Sequence, residues 1–404
     1  MKQAATSKCS PALGMMICLL LWAIGVQLHS SLSWGHESWQ LTEWLIDYSG
    51  GFVRRGLTGA VVRLISETTG IRANLIAIIW STACYLALAV WLLRRSSRTF
   101  PIILILSCVV MGFPAYQDCI LRKDCLGLLL LLGCLKVDNS QLPRPLALLV
   151  INLLAGVAIL CHEAFIFYSL PALVLFTRRD EEPLSSFSLL RRSLPLLPAV
   201  ACFALASIHH GTPAIAEAVN DSWLPLWRVI DPANLHLESP SAAIKALGWT
   251  SQQGLSVAVT MLTSGFYQPL AWAFVFAVSF LLMVLFTDRD AAPALETKTR
   301  VTAILLAQLA FISPLFLLGF DYGRWLFLWV TSSMMLHTLD RRAPRWLELC
   351  VARIFEKARL SQLIGWLPAR DWYLLFFGVP VCWNIYNFLV ASPISRHLDL
   401  LWQR

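Results

Sequence analysis

Long, nearly uncharged apolar runs constrain this chain more than any other feature. They fall at 11–32, 73–93, 100–116, 124–136, 145–161, 164–177, 194–209, 264–286, 301–319, 325–338 and 371–391. The longest hold about 20 residues, the length an α-helix needs to cross a hydrocarbon layer of about 30 Å. Shorter ones, such as 124–136 and 164–177, predict tilted or partly interior spans. The expected fold is therefore all-α: a polytopic transmembrane helix bundle of about 11 spans, one integral membrane domain over residues 1–404. Hydrophobic residues make up 57% of the chain and charged residues 14%, which excludes a soluble fold of ordinary composition. A membrane β-barrel is excluded because its strands read as runs of about 10 residues with alternating polarity. The first run is longer than a typical signal-peptide core and no A-x-A-like site follows, so it reads as a retained helix.

The basic residues orient the bundle. With a cytoplasmic N-terminus and alternating spans, 21 of the 32 Lys and Arg fall on cytoplasmic segments and 11 on exported ones. That is the bias of a chain inserted in this direction, and it accounts for the net charge of +8 without nucleic acid as a partner. Segments 33–72 and 210–263 become the two long exported loops, and 343–370 reads as an amphipathic helix on the cytoplasmic face. Most of the 11 cysteines lie inside apolar runs and no CxxC pair occurs. Only Cys119 and Cys125 share a loop, where a disulfide could form.

Five exported segments carry more polarity than anchoring needs. The first runs from Trp44 through Asp47, Gly50, Gly51, Arg54, Arg55 and Gly56 into a helix-like stretch at 57–67. The second is Gln117 to Asp124, with Asp118, Arg122 and Lys123 at the mouth of two short spans. The third is His162-Glu163, set between apolar runs with little room for a loop. The fourth, Phe320 to Trp325, places Asp321 and Arg324 three apart, on one helix face. The fifth is 210–263, with His209 and His210 at its start and Trp223, Trp227 and Trp249 within it; it reads as either a lid or a structural cap. Each has a bland reading as a turn, a solvated hairpin or a local ion pair. Ionisable groups at membrane depth are costly, however, and usually face a partner or a cavity. Clustered guanidinium groups suit phosphate, and a carboxylate beside them suits a general base.

An Asp at the end of the first exported segment, followed by GGFVRRG, RKD, HE and DYGRW, resembles the bacterial GT-C-type integral membrane glycosyltransferases. The chain is most similar to the EpsG-like polymerases of exopolysaccharide and O-antigen units. The resemblance touches most of the chain through short motifs. It implies a GT-C-like bundle in the bacterial inner (plasma) membrane, working on a polyprenyl-(pyro)phosphate-linked sugar donor and a glycan acceptor at the outer face, beside other polysaccharide assembly partners. Carried over, it makes Asp47, Glu163 and Asp321 the catalytic candidates, with Asp47 as the base. Arg54, Arg55, Arg122, Lys123 and Arg324 would bind the lipid-donor phosphates, and His162, Tyr322 and Trp325 would shape the acceptor side. No cofactor is implied. No metal ligands are assigned, because the first loop lacks a DxD-type pair, and a divalent-metal requirement stays open. With only about 13 residues after the last run, the reading also predicts a departure from those GT-C enzymes that carry a large soluble C-terminal domain. A lipid-linked glycan transporter or flippase, and a noncatalytic envelope-assembly subunit, are the competing classes.

Reporter fusions test the orientation. A fusion after residue 97 is expected on the cytoplasmic side and one after residue 50 on the exported side. A cytoplasmic residue 50 would turn the polar segments toward nucleotide sugars instead of lipid-linked ones.

Overall fold

The computed structural model describes residues 10–32, 38–176, 185–230, 240–263, 269–287, 295–319, 321–357, 369–380 and 392–395. It is helical throughout, with no strand among the described residues. The chain opens with α1 (Pro11–Leu32), a short α2 (Trp39–Trp44), α3 (Gly56–Thr69) and α4 (Ala73–Arg95). Two five-residue helices, α5 (Ile102–Leu106) and α6 (Gly112–Tyr116), lead to α7 (Asp124–Asp138), α8 (Arg144–Cys161) and α9 (Phe165–Leu175). α10 (Ser186–Ser193) passes through a 3-10 turn into α11 (Leu197–Ile208), followed by α12 (Pro213–Ile230), α13 (Ala242–Leu247) and α14 (Ser251–Thr263). α15 (Pro269–Phe286), α16 (Leu295–Leu318), α17 (Tyr322–Thr338), α18 (Arg345–Lys357) and α19 (Trp372–Phe376) complete it.

Five stretches are long and apolar enough to cross a membrane unaided: α1, α4, α8, α16 and the continuous 186–208 stretch of α10 and α11. α9 and the stretch Ala271–Phe286 within α15 are apolar but shorter. Leucines such as Leu21, Leu149, Leu153 and Leu317 point outward from these helices. An apolar outer face suits lipid and would be costly in water.

One expected span is not a continuous helix. Run 100–116 is broken between α5 and α6, with Ser107 as the pivot. The Ser107 hydroxyl donates to Leu104 O at 2.7 Å and accepts from Val109 N, while Met111 N reaches Ile105 O at 2.9 Å. Tyr85 donates its hydroxyl to Met111 O at 2.9 Å. Residues 103–116 are buried throughout. Irregular backbone is tolerated at such a place because its polar groups meet protein and not lipid. Within the described part of the run at 371–391, helix is confined to α19, and 381–391 lies outside the described residues. The amphipathic helix expected over 343–370 is α18. It buries Val351 and Phe355 and exposes Trp346, Leu349 and Ile354; residues 358–368 are outside the description.

The interior has two hydrophobic clusters. The larger fills the helix bundle. The smaller joins α2, α3 and the start of α4 to α12 and α13, around Leu41, Trp44, Val219, Trp223 and Ile244. α12 and α13 therefore cap α2 and α3. Trp223 Nε1 donates to Leu45 O at 2.7 Å, and Ala243 N donates to Thr42 Oγ1 at 3.1 Å.

Two charge clusters tie the helices together. At one end of α7 and α17 sit Asp124 and Arg324. Past their other ends, the fully buried Arg341 binds Asp138, Asn139 (2.7 Å) and Phe176 O (3.2 Å). Fourteen helical residues separate Asp124 from Asp138, so the clusters lie about 21 Å apart along α7. That is less than the hydrocarbon thickness of about 30 Å.

Close packing of α3 supplies a test. A Cβ at Gly59 would sit 2.0 Å from Ile46 O, a backbone atom that cannot step aside. Gly59→Ala is expected to destabilise the protein by about 1–3 kcal/mol or more, read as a lower Tm and a lost monodisperse peak in detergent. Gly254→Ala, where an added Cβ meets nothing within 4 Å, should leave both unchanged.

Candidate functional site

Helix α2 carries the central acid. Its cap, Ser38, accepts from Leu41 N at 3.3 Å, and Leu41 and Trp44 are fully buried. These apolar anchors draw Glu43 inside with them, to 0% exposure. Trp44 Nε1 donates to Leu121 O, which docks α2 onto the segment before α7. Arg55, the residue before α3, takes the left-handed conformation (φ 64°), as does Asp118 (φ 53°). Non-glycine residues pay for that geometry and keep it where the surroundings over-determine it. Lys123 and Asp124 begin α7, where a carboxylate also meets the positive end of the helix dipole. Asp321 begins α17.

These groups meet in one network. Glu43 accepts from Arg55 Nη1 (3.4 Å) and Arg122 Nη1 (3.2 Å) and lies 3.3 Å from His162 Nε2. Arg55 also grips Glu163 with two prongs, its Nε at 2.7 Å, and Arg54 Nη1 reaches Glu163 at 3.5 Å. Arg324 grips Asp124 with two bonds of 2.8 Å and reaches Asp321 Oδ2 at 2.7 Å. Arg122 Nη2 stands 4.0 Å from that same Oδ2 and links the two halves.

Four carboxylates (Glu43, Asp124, Glu163, Asp321) face five cations (Arg54, Arg55, Arg122, Lys123, Arg324). With His162 neutral, the network holds one surplus positive charge. Burial alone would raise the Glu43 pKa, but His162, Arg122 and Arg324 outweigh it and hold the carboxyl well below the usual range. Glu163 is half-buried, and Arg55, His162 and Arg54 hold it far below the usual range. Both stay ionised at neutral pH.

Some valences remain open. Among the described residues, Arg54 Nε and Arg122 Nε have no hydrogen-bond partner. Both oxygens of Glu43, Asp124 and Glu163 are engaged by cations. Asp321 is engaged through Oδ2 alone, and its side chain is 21% exposed. Arg54, at 31%, is the most exposed cation of the network.

Of the residues expected from the sequence, the structure brings together Arg54, Arg55, Arg122, Lys123, His162, Glu163, Asp321 and Arg324. It separates three others from them. Asp47 belongs to a different set: it accepts from Ser49 N at 3.0 Å and from the Ser49 hydroxyl, pairs with Arg63 at 3.2 Å, and is 1% exposed. Both its oxygens are used, so it is poorly placed as a base. Tyr322 donates to Phe316 O at 2.8 Å and packs edge-on against Trp272, and Trp325 is also buried. Both are buried among packed helices, and Trp325 Nε1 has no hydrogen-bond partner among the described residues. Lys123 is in the network but 1% exposed, with Nζ aimed at Cys161 O (3.2 Å) and Arg55 O (3.4 Å). It stitches loops and does not present itself to phosphate. Cys119 and Cys125 are free thiols. Two members lie outside the candidates that the sequence suggests: Asp124, which ends the RKD run, and Glu43, whose one sequence signal is that it is the only acid in the run WQLTEWLI. Among the described residues, no group of three or more His, Cys, Asp and Glu side chains is arranged to hold a metal ion.

The depressed carboxyls fix a pH dependence. A carboxyl whose folded pKa lies below its unfolded value of about 4.3 adds stability above that pH and loses it as pH falls. The Tm of the detergent-solubilised protein is expected to hold from pH 7 to about 5 and to drop below about 4. Glu43→Gln leaves buried cations without their partner, so it should cost about 3–5 kcal/mol at pH 7 and flatten the acid slope. An unchanged Tm at pH 7 in that variant would show that the network does not support the fold.

The family model described as "Uncharacterised membrane protein Rv1490" matches residues 13–231. The match includes Glu43, Asp47, Arg54, Arg55, Arg122, Lys123, Asp124, His162 and Glu163. No curated protein and no solved structure matches the chain. Because the family match covers more than half of the 404 residues, and the helices have the length and apolarity of membrane spans, the chain belongs to the Rv1490 family of membrane proteins.

Proposed function

We propose that this protein is a membrane glycosyltransferase or polymerase of cell-surface polysaccharide assembly, GT-C-like in arrangement, with about 11 crossings and a cytoplasmic N-terminus in the inner membrane. It uses a polyprenyl-(pyro)phosphate-linked sugar as donor on the outer face and a glycan as acceptor. The observation that carries this reading is the pattern of open valences. A buried, cation-rich network leaves Arg54 Nε, Arg122 Nε and Asp321 Oδ1 without partners. Positive charge with free N–H groups suits a departing phosphate, and a carboxylate with one open oxygen suits a hydroxyl proton.

In this mechanism the acceptor hydroxyl oxygen attacks the anomeric carbon while the bond from that carbon to the lipid-phosphate oxygen breaks. The hydroxyl proton passes to Asp321 Oδ1. The leaving phosphate keeps the electron pair, and its charge is met by Arg54 and Arg122. Glu43 and Glu163 hold those guanidinium groups in place and take no proton, since both oxygens of each are engaged by cations. Asp321 replaces Asp47 as the proposed base, because Asp47 has both oxygens occupied. A lipid-linked glycan transporter is the second reading. It draws on the break between α5 and α6, since discontinuous helices recur in transporters.

Proteoliposomes loaded with a lipid-linked oligosaccharide separate the two. Arg54→Ala is expected to lower kcat by about 10²–10³, the scale of losing one oxyanion donor, with Arg54→Lys a poor substitute. Asp321→Asn should keep donor affinity and lose turnover. Wild-type protein that moves the lipid-linked glycan across the bilayer without forming a glycosidic bond would overturn the enzyme in favour of the transporter.

A further inference from the structure

The residues displaced from the network form a second feature. Asp47, Tyr48 and Ser49 face one side of α3, built by Ala60, Arg63, Leu64 and Glu67 at helical spacings of three and four. Between them lies an open depression of about 440 Å³, within the range of small-molecule sites. Its polar floor is preorganised. Arg63 donates Nε to Glu67 at 2.7 Å, and Nη1 to Ser49 Oγ at 2.6 Å and to Asp47 at 3.2 Å. Ser222 of the cap adds a contact of 3.4 Å to Asp47. The Tyr48 ring is wedged against Gly56, where a Cβ would come within 2.3 Å, and stacks on Phe52 at 5.7 Å. Arg63 Nη2 and Glu67 Oε2 have no hydrogen-bond partner among the described residues, and Leu64 is 61% exposed. The site thus offers one free donor group, one free acceptor and an apolar wall.

Charge decides which ligand fits. Asp47 and Glu67 outweigh Arg63, so the depression carries one net negative charge, where the network carries one net positive. Phosphate is repelled here and drawn there. We infer that the depression along α3 binds a neutral, hydroxyl-rich glycan, with its hydroxyls on Arg63 and Glu67 and its apolar ring faces on Leu64 and Tyr48. The inference rests on the proposed glycosyl transfer in making that glycan the acceptor. Along α3, Ala60 lies about 8 Å and Glu67 about 18 Å from Arg55. A bound glycan therefore extends away from the network, with one end toward it. Arg63 and Glu67 are binding residues, and Asp47 is a positioning residue that acts through Arg63.

Saturation-transfer difference NMR on the full-length protein in nanodiscs, with mannotetraose and maltotetraose as probes, tests this without turnover. Wild-type protein is expected to transfer saturation to the ring protons of at least one probe. Ala60→Trp, which fills the depression, should abolish it. Glu67→Ala, at an exposed position the fold does not depend on, should weaken binding about 2- to 10-fold, the value of one hydrogen bond. Arg54→Ala and added inorganic phosphate should change nothing. No transfer from either probe, an undiminished signal in Ala60→Trp, or displacement by phosphate overturns the inference. Glycan binding by a protein that forms no glycosidic bond keeps this site and removes the proposed transfer.

Discussion

Glu43 is a carboxylate with no exposure to solvent, and the arrangement around it follows from the cost of that position. An ion without a partner in a low-dielectric interior costs several kcal/mol. The helix that carries Glu43 is anchored by Leu41 and Trp44, so the acid cannot swing out to water without unpacking them. Partners have to come to it. Arg55 arrives from the turn before α3, Arg122 from the segment before α7, and His162 from the junction of α8 and α9. Each of these is then bound onward, Arg55 to Glu163 and Arg122 toward Asp321. The meeting of four separate segments is thus an electrostatic requirement. It also explains why Arg55 tolerates a left-handed backbone: two carboxylates hold its guanidinium.

The second cluster gives this arrangement its frame. α7 and α17 carry charged groups into both clusters, Asp124 and Arg324 into one, Asp138 and the turn residue Arg341 into the other. The spacing between clusters is thereby set by helix rise and not by flexible loops. Between them the contacts are apolar, save for a few bonds such as Gln308 Nε2 to Tyr168 O at 2.7 Å and to Ser332 Oγ at 2.9 Å. The cap formed by α12 and α13 covers α2 from the other side and leaves Arg54 and Asp321 as the exposed rim. A cation-rich network and a slightly acidic depression therefore adjoin opposite portions of the same helix, α3. Under the proposed glycosyl transfer, that opposite local charge would sort a phosphate from a neutral glycan without either site having to exclude the other by shape.

Much of this was legible in local sequence. Long apolar runs predicted helices, each of the eleven runs contains helix among its described residues, and five helical stretches are long and apolar enough to cross a membrane. The Asp321 to Arg324 spacing predicted a shared helix face, and the two side chains meet at 2.7 Å. The stretch 57–67 falls inside α3. The cost of isolated charge predicted that His162 and Glu163 would find partners, and they did. The break at Ser107 was not legible, because a serine in an apolar run reads as an ordinary helix residue. What bends the chain there is a set of backbone bonds and Tyr85, which comes from 26 positions away.

Sequence alone determined the all-α class, the membrane setting and the segments in which unusual charge would concentrate, since periodicity, run length and the cost of burying an ion are local properties. Only tertiary structure decided which acid stands at the centre. Asp47 and Glu43 are four residues apart on one short segment, and nothing in their neighbourhood ranks them. Glu43 meets an arginine 79 positions away, Glu163 one 108 away and Asp124 one 200 away, while Asp47 settles on Arg63. Coulombic pairing falls with distance through space and is indifferent to distance along the chain. The choice between two such acids was therefore made by the packing of α2, which turns Glu43 into the bundle and leaves Asp47 at the floor of the depression beside α3.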